Sequence, residues 1–111
     1  MIKFNFLIPL YNDWNSLNIL LEQIDQEIQS FTDIFDVIVL NDNSTTKHSI
    51  KNQNYKKINS IKILNLRENL GSQRALAIGL KYLSTGENKT NIIIMDADGE
   101  DDPKLLKKII N

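Results

Sequence analysis

Ile92-Ile93-Ile94-Met95-Asp96-Ala97-Asp98 sets four apolar residues directly against two carboxylates spaced two apart. A short apolar run rich in β-branched residues reads as a buried strand, and the acids behind it read as the turn where that strand ends. The same pattern recurs three times toward the N-terminus. Phe4 to Ile8 runs into Pro9-Leu10-Tyr11-Asn12-Asp13, Val37 to Leu40 into Asn41-Asp42-Asn43-Ser44, and Ile61 to Leu66 into the polar stretch Arg67 to Arg74.

Helical patterns separate these runs. Trp14, Leu17, Leu20, Leu21, Ile24 and Ile28 form the apolar stripe of an amphipathic helix, with Asp13 placed to cap it. After the third run, Leu70, Ala75, Leu76, Ile78, Leu80 and Leu83 predict a second helix capped by Ser72. Gly79 lies inside it, where glycine costs about 1 kcal/mol against alanine, so a close packing contact is expected there. Thr46 to Ile58 is polar and predicts a short or irregular helix. Asp102-Pro103 predicts a last helix start, because proline is tolerated where its missing N–H has no partner to lose. Strands alternating with helices imply parallel pairing through right-handed crossovers, hence a three-layer α/β/α sandwich around a mostly parallel sheet of about four strands. Ligands of such sheets bind outside the carboxyl ends of the strands, where the strand order switches. The four polar stretches are therefore the expected functional segments.

Composition narrows the partners. In 111 residues, 13 basic side chains against 14 acidic ones leave a net charge of −1, without the basic excess that nucleic acid or an anionic membrane surface would require. No apolar run approaches the length of about 18 residues that spans a bilayer, and Lys3 to Leu10 is too short and too interrupted by Asn5 for a signal peptide. The absence of cysteine removes disulfides, thiolate metal sites and thiol nucleophiles, and fits a reducing cytoplasm. One asymmetry stands out: Asp96, Asp98, Glu100, Asp101 and Asp102, five of the fourteen carboxylates, fall within seven residues.

Each motif has two readings. Asp96 and Asp98 leave the end of a strand on the same side, so their charges must be relieved by a proton or a shared cation, and a hard ion such as Mg2+ or Mn2+ suits oxygen ligands. The plain alternative is a solvated acidic turn, with Asp102 capping the helix and Glu100 and Asp101 in solvent. Asp42, among short amides and hydroxyls, could accept from a base or ribose, or belong to an Asx-type turn. Gly71 permits an unusual backbone just before a helix, and Arg74 offers a planar donor fork; the alternative is a capped loop with a surface arginine. His48 has no neighbour at triad or zinc spacing and reads as surface.

In order and spacing, Pro9-Leu10-Tyr11-Asn12-Asp13, Asn41-Asp42-Asn43-Ser44, Asn69-Leu70-Gly71 with Arg74, and Asp96-Ala97-Asp98-Gly99-Glu100-Asp101-Asp102-Pro103 resemble the N-terminal half of the family 2 inverting glycosyltransferases, in the dolichol-phosphate mannose synthase-like branch. The resemblance implies a Rossmann-like GT-A half-domain over residues 1–111 that binds a UDP- or GDP-linked sugar for hexosyl transfer to a hydroxyl or a lipid phosphate. It implies that Pro9, Tyr11 and Asp13 border the nucleotide, that Asp42 binds the base with Gly71 and Arg74 nearby, and that Asp96 and Asp98 form the D-x-D pair ordering ribose and a Mg2+ or Mn2+ ion on the diphosphate. Asn41 departs from the paired acids usual at that strand. The family's acceptor-binding half, which carries the general-base aspartate, has no counterpart here, so little activity is expected of this chain alone. The rival expectation is a non-catalytic α/β assembly module that self-associates through the fourth strand's edge. A phosphoacceptor receiver domain lacks support, since no acid pair follows the first strand and no later lysine strand is found.

Overall fold

Strand β1 (Lys3–Leu10) alternates its side chains between two separate cores. Phe4, Phe6, Ile8 and Leu10 point to one face and Leu7 to the other, so β1 must be covered on both sides. The computed structural model, which describes residues 2–52, 54–85, 91–99 and 101–110, places β1 inside an all-parallel sheet of order β3-β2-β1-β4. Its neighbours are β2 (Ile34–Asn41) and the short β4 (Asn91–Ile94), while β3 (Ile58–Asn65) pairs with β2 on the far side. Phe4 and Phe35 are register partners across β1 and β2, and their rings stack at 5.3 Å, which helps to fix that register.

Helix α1 (Trp14–Glu27) covers the larger core, burying Leu17, Leu21 and Ile24 completely against Phe6, Phe35, Val37 and Val39. Each such side chain contributes about 2 kcal/mol, so docking rather than propensity holds the helix. Asp13 caps it as expected, its carboxylate accepting from the Ser16 amide and hydroxyl at 3.1 and 2.7 Å. Helix α2 (Ser72–Ser84) lies on the opposite face, with Ala75 against Leu7, Ile38 and Leu40. A Cβ on Gly79 would stand 2.9 Å from Leu40 Cδ1, so the close contact expected at this glycine is present. Pro103 opens a single 3-10 turn, Pro103–Leu105, capped by Asp102, and α3 (Leu106–Ile110) follows it.

Two local expectations change. The cap of α2 is Gly71, at φ 88°, with no side-chain bond to the helix; Ser72 is already its first helical residue. The stretch from Thr46 to Ile58 forms no helix among the described residues. It is held instead by side chains of α1, at positions spaced four and three apart along one stripe of that helix. Asn18 donates to Ser49 O at 2.7 Å and accepts from Lys51 N at 3.0 Å, and Glu22 accepts from Asn52 Nδ2 at 3.4 Å. Asp25, itself buried, accepts from the successive amides of Lys56, Lys57 and Ile58 at 3.3, 2.8 and 2.9 Å. A carboxylate meeting three amides satisfies groups that would each cost about 1–3 kcal/mol if buried unpaired.

Tyr55 is held beside this clasp, and its hydroxyl is buried with no hydrogen-bond partner among the described residues. Burial, then the charges of Glu22 and Asp25, push its ionisation from the ordinary 10.0 up to about 12. A group whose folded pKa exceeds its unfolded value stabilises the fold below the unfolded pKa and loses that contribution as pH rises through the folded one. Stability measured by urea denaturation should therefore fall between pH 10 and about 12. Tyr55→Phe should flatten that decline while leaving stability at pH 7 unchanged or slightly raised, since it removes an unpaired hydroxyl.

Candidate functional site

A cavity of about 270 Å³ opens at the carboxyl ends of β1, β2 and β4. Strands β2 and β3 lie to one side of β1 and β4 returns to the other, so the cavity sits at the reversal of strand order. It is lined by Pro9, Leu10, Tyr11, Asp13, Asp42, Ser72, Asp96, Ala97 and Asp98. Residues from four segments, up to 89 positions apart (Pro9 to Asp98), thus meet in one concavity. Six of the eight residues singled out from the sequence are in that lining. Gly71 adjoins it through Asp42, while Arg74 is exposed on the first turn of α2 and does not line it.

Asp42 is buried at 4% exposure, and both of its carboxylate oxygens are engaged. Oδ1 accepts from Leu70 N at 2.7 Å and Oδ2 from Gly71 N at 2.8 Å, while Asn69 Nδ2 reaches Asp42 O at 3.2 Å. These are short charge-assisted bonds, and they fix the segment ahead of α2 against the end of β2. Gly71 has open space where a Cβ would stand, so its φ of 88° rather than crowding calls for glycine. Asn41, the departure from paired acids, bridges two strand ends: its Nδ2 donates to Asn65 Oδ1 at 2.8 Å and its Oδ1 accepts from Ser44 N at 3.1 Å. An amide can do both, whereas an ionised acid could only accept.

The opposite wall is acidic. Asp96 is half-buried, and burial, then the carboxylates of Asp98 and Asp101, hold it above the usual carboxylate range. Asp101 is not simply solvated as expected: its Oδ2 accepts from Asp96 N at 2.8 Å and braces the turn that carries the pair. Glu100 lies outside the described residues. Among the described residues no three histidine, cysteine or acidic side chains converge as a metal site. The donor set is therefore two carboxylates, the number Mg2+ or Mn2+ commonly takes from protein when water and phosphate complete its shell, so these residues fit such an ion. Donors on the lining side chains are the hydroxyls of Tyr11 and Ser72. The sequence marks Ser72 only as a cap; its place immediately after Gly71, at the start of the helix, is the signal that points to the cavity. His48 is exposed as expected, with its ring edge-on to Trp14 at 5.1 Å.

The model of the family described as "Glycosyl transferase family 2" matches residues 6–111. An uncharacterized glycosyltransferase of Synechocystis sp. is 29% identical over 112 residues, covering 99% of this chain and 34% of that protein. A dolichol-phosphate mannosyltransferase of Pyrococcus furiosus is 26% identical over 109 residues, covering 98% of this chain and 29% of that protein. The chain spans about a third of the length of these curated relatives.

The Asp42 geometry makes a prediction that is independent of any ligand. Asp42→Asn replaces one acceptor with a donor facing a backbone amide, and should lower unfolding stability in the ligand-free protein by about 2 kcal/mol, read from urea denaturation. A residue serving only to contact a ligand would leave that value unchanged.

Proposed function

Because this chain belongs to glycosyl transferase family 2, we propose that it is the donor-binding part of a glycosyltransferase and takes a nucleoside-diphosphate sugar in the cavity at the strand ends. The observation that carries this reading is the span of one cavity from Asp42 after β2, across Tyr11 after β1, to Asp96 and Asp98 after β4. A nucleoside diphosphate has a complementary span, with a base that donates hydrogen bonds at one end and an anionic diphosphate at the other. Asp42 keeps lone pairs beyond the two it spends on amides, and can accept from a uracil or guanine N–H. Pro9, Tyr11 and Asp13 flank the nucleoside, with Gly71 supporting Asp42 on the base side and Arg74 outside the cavity.

Asp96 and Asp98 would hold a Mg2+ or Mn2+ ion, which when bound offsets charge on the departing nucleoside diphosphate. Without it, two carboxylates would face a diphosphate with like charge, and Asp96 is already raised by burial first and by its acidic neighbours second. The transfer is an in-line, inverting displacement at the sugar's anomeric carbon by an acceptor hydroxyl or lipid phosphate. We assign donor binding to the cavity residues and the general base to none of them. The name of the Pyrococcus relative favours the lipid-phosphate acceptor. No helix among the described residues is long and apolar enough to cross a membrane, and a cysteine-free chain suits work in the cytoplasm.

One observation favours a second reading. Among the described strands β4 pairs with β1 alone, and Ile94 on it is 46% exposed, so its outer edge could join a second copy in an assembly module. Calorimetry with UDP and GDP, with and without Mn2+, separates the two when light scattering is run on the same samples. The expected result is metal-dependent binding of one nucleotide, weakened at least about tenfold by Asp98→Ala. No binding of either nucleotide, or binding indifferent to Asp98→Ala, overturns the donor-site reading, and a stable oligomer indifferent to nucleotide supports the assembly module.

A further inference from the structure

Between Tyr11 and Asp13, which both line the cavity, stands a residue that does not line it: Asn12. Its φ of 65° is in the left-handed region, which asparagine tolerates better than most side chains. Four donors converge on its Oδ1. The amides of Thr45 and Thr46 approach to 2.7 and 3.1 Å and their hydroxyls to 3.3 and 3.2 Å. Its own amide donates to Ser44 Oγ at 2.9 Å, and Ser44 N is held in turn by Asn41 Oδ1. One side chain thus joins the turn after β1 to the turn after β2, and through Asn41 to Asn65 at the end of β3.

We infer that Asn12 is a positioning residue for the donor site, a clasp that holds Tyr11 and Asp13 in place against the wall built by Asp42. The inference rests on the donor-site reading for its ligand, and on geometry alone for the clasp. Beyond the Asn12 contacts the turn is anchored at its two ends, by Asp42 N to Leu10 O at 2.9 Å and by Asp13, which accepts from Ser16 and from Leu17 N at the head of α1. Between those ends the bonds of Asp13 N to Tyr11 O at 2.8 Å and Trp14 N to Asn12 O at 2.9 Å are local and leave some freedom. A side chain that gathers donors from a segment 33 or 34 residues away removes that freedom before ligand arrives, which is where preorganisation raises affinity.

Asn12→Gly tests this, because glycine keeps the positive φ and removes only the clasp. Ile24→Val, a core truncation remote from the cavity, serves as a control for lost stability. Both are compared with the wild-type chain by calorimetry with UDP and GDP in Mn2+, and by amide hydrogen exchange without ligand. The expected result is about tenfold weaker nucleotide binding in Asn12→Gly with wild-type affinity in Ile24→Val, and faster exchange at Asp13 and Trp14 in Asn12→Gly while β1 keeps its protection. Unchanged affinity in Asn12→Gly, or an equal loss in Ile24→Val, overturns the positioning role. If the wild-type chain binds neither nucleotide, the donor-site reading fails, and exchange alone judges the clasp: faster exchange at Asp13 sustains it and unchanged exchange overturns it.

Discussion

Parallel pairing of β1 along both of its edges is the constraint on which the rest depends. Parallel neighbours cannot be joined by a hairpin, so the chain must leave each strand at its carboxyl end and return by the far end of the sheet. With β2 on one edge and β4 on the other, the turns after all three strands are delivered to the same rim. The two cores follow from the same arrangement, because a strand enclosed on both edges needs cover on both faces, which α1 and α2 supply.

The rim is built with little regular structure, so its backbone groups need partners from side chains. Short polar residues meet that need across the sequence: Asp42 for Leu70 and Gly71, Asn12 for Thr45 and Thr46, Asp101 for Asp96. At the opposite end of the sheet Asp36 is met by side chains instead. Burial pushes its carboxyl up, but bonds from Ser60, Asn59 and Lys3, with the Lys3 charge, outweigh this and hold it below its ordinary range. Asp36 and Asp96 thus stand in opposite surroundings: Asp36 is met by donors and a cation, whereas Asp96 is raised by burial and by the neighbouring carboxylates of Asp98 and Asp101.

Much of this was legible in the sequence, for an identifiable reason. Strands and the two long helices announce themselves by local period, and the carboxyl-end rule converts their order into a place for Pro9, Tyr11, Asp13, Asp42, Asp96 and Asp98 without knowledge of any contact. What was not legible depends on partners distant in the chain. The polar stretch before β3 reads as a poor helix because nothing local shows that Asn18 and Asp25 will take up its backbone groups and Glu22 the Asn52 side chain. Asp42 looked like a ligand contact or an Asx turn, and its engagement with two amides 28 and 29 residues onward has no local signature. Asn12 sits in a motif whose neighbours carry the more recognisable chemistry, and its partners lie 32 to 34 residues onward. Ser72 was assigned to the cap because serine before a helix usually serves there, whereas the left-handed glycine ahead of it moves the boundary by one residue.

The pinning of the segment before β3 has a consequence for how the molecule assembles. Most parallel crossovers carry their own helix and can collapse onto the sheet independently. This one borrows the polar stripe of α1, and the three amides at the threshold of β3 find their acceptor only where Asp25 has been fixed by that helix. The seating of β3 is therefore coupled to the docking of α1 on β1 and β2, and a lesion in α1 would be felt at the threshold of a strand more than thirty residues downstream.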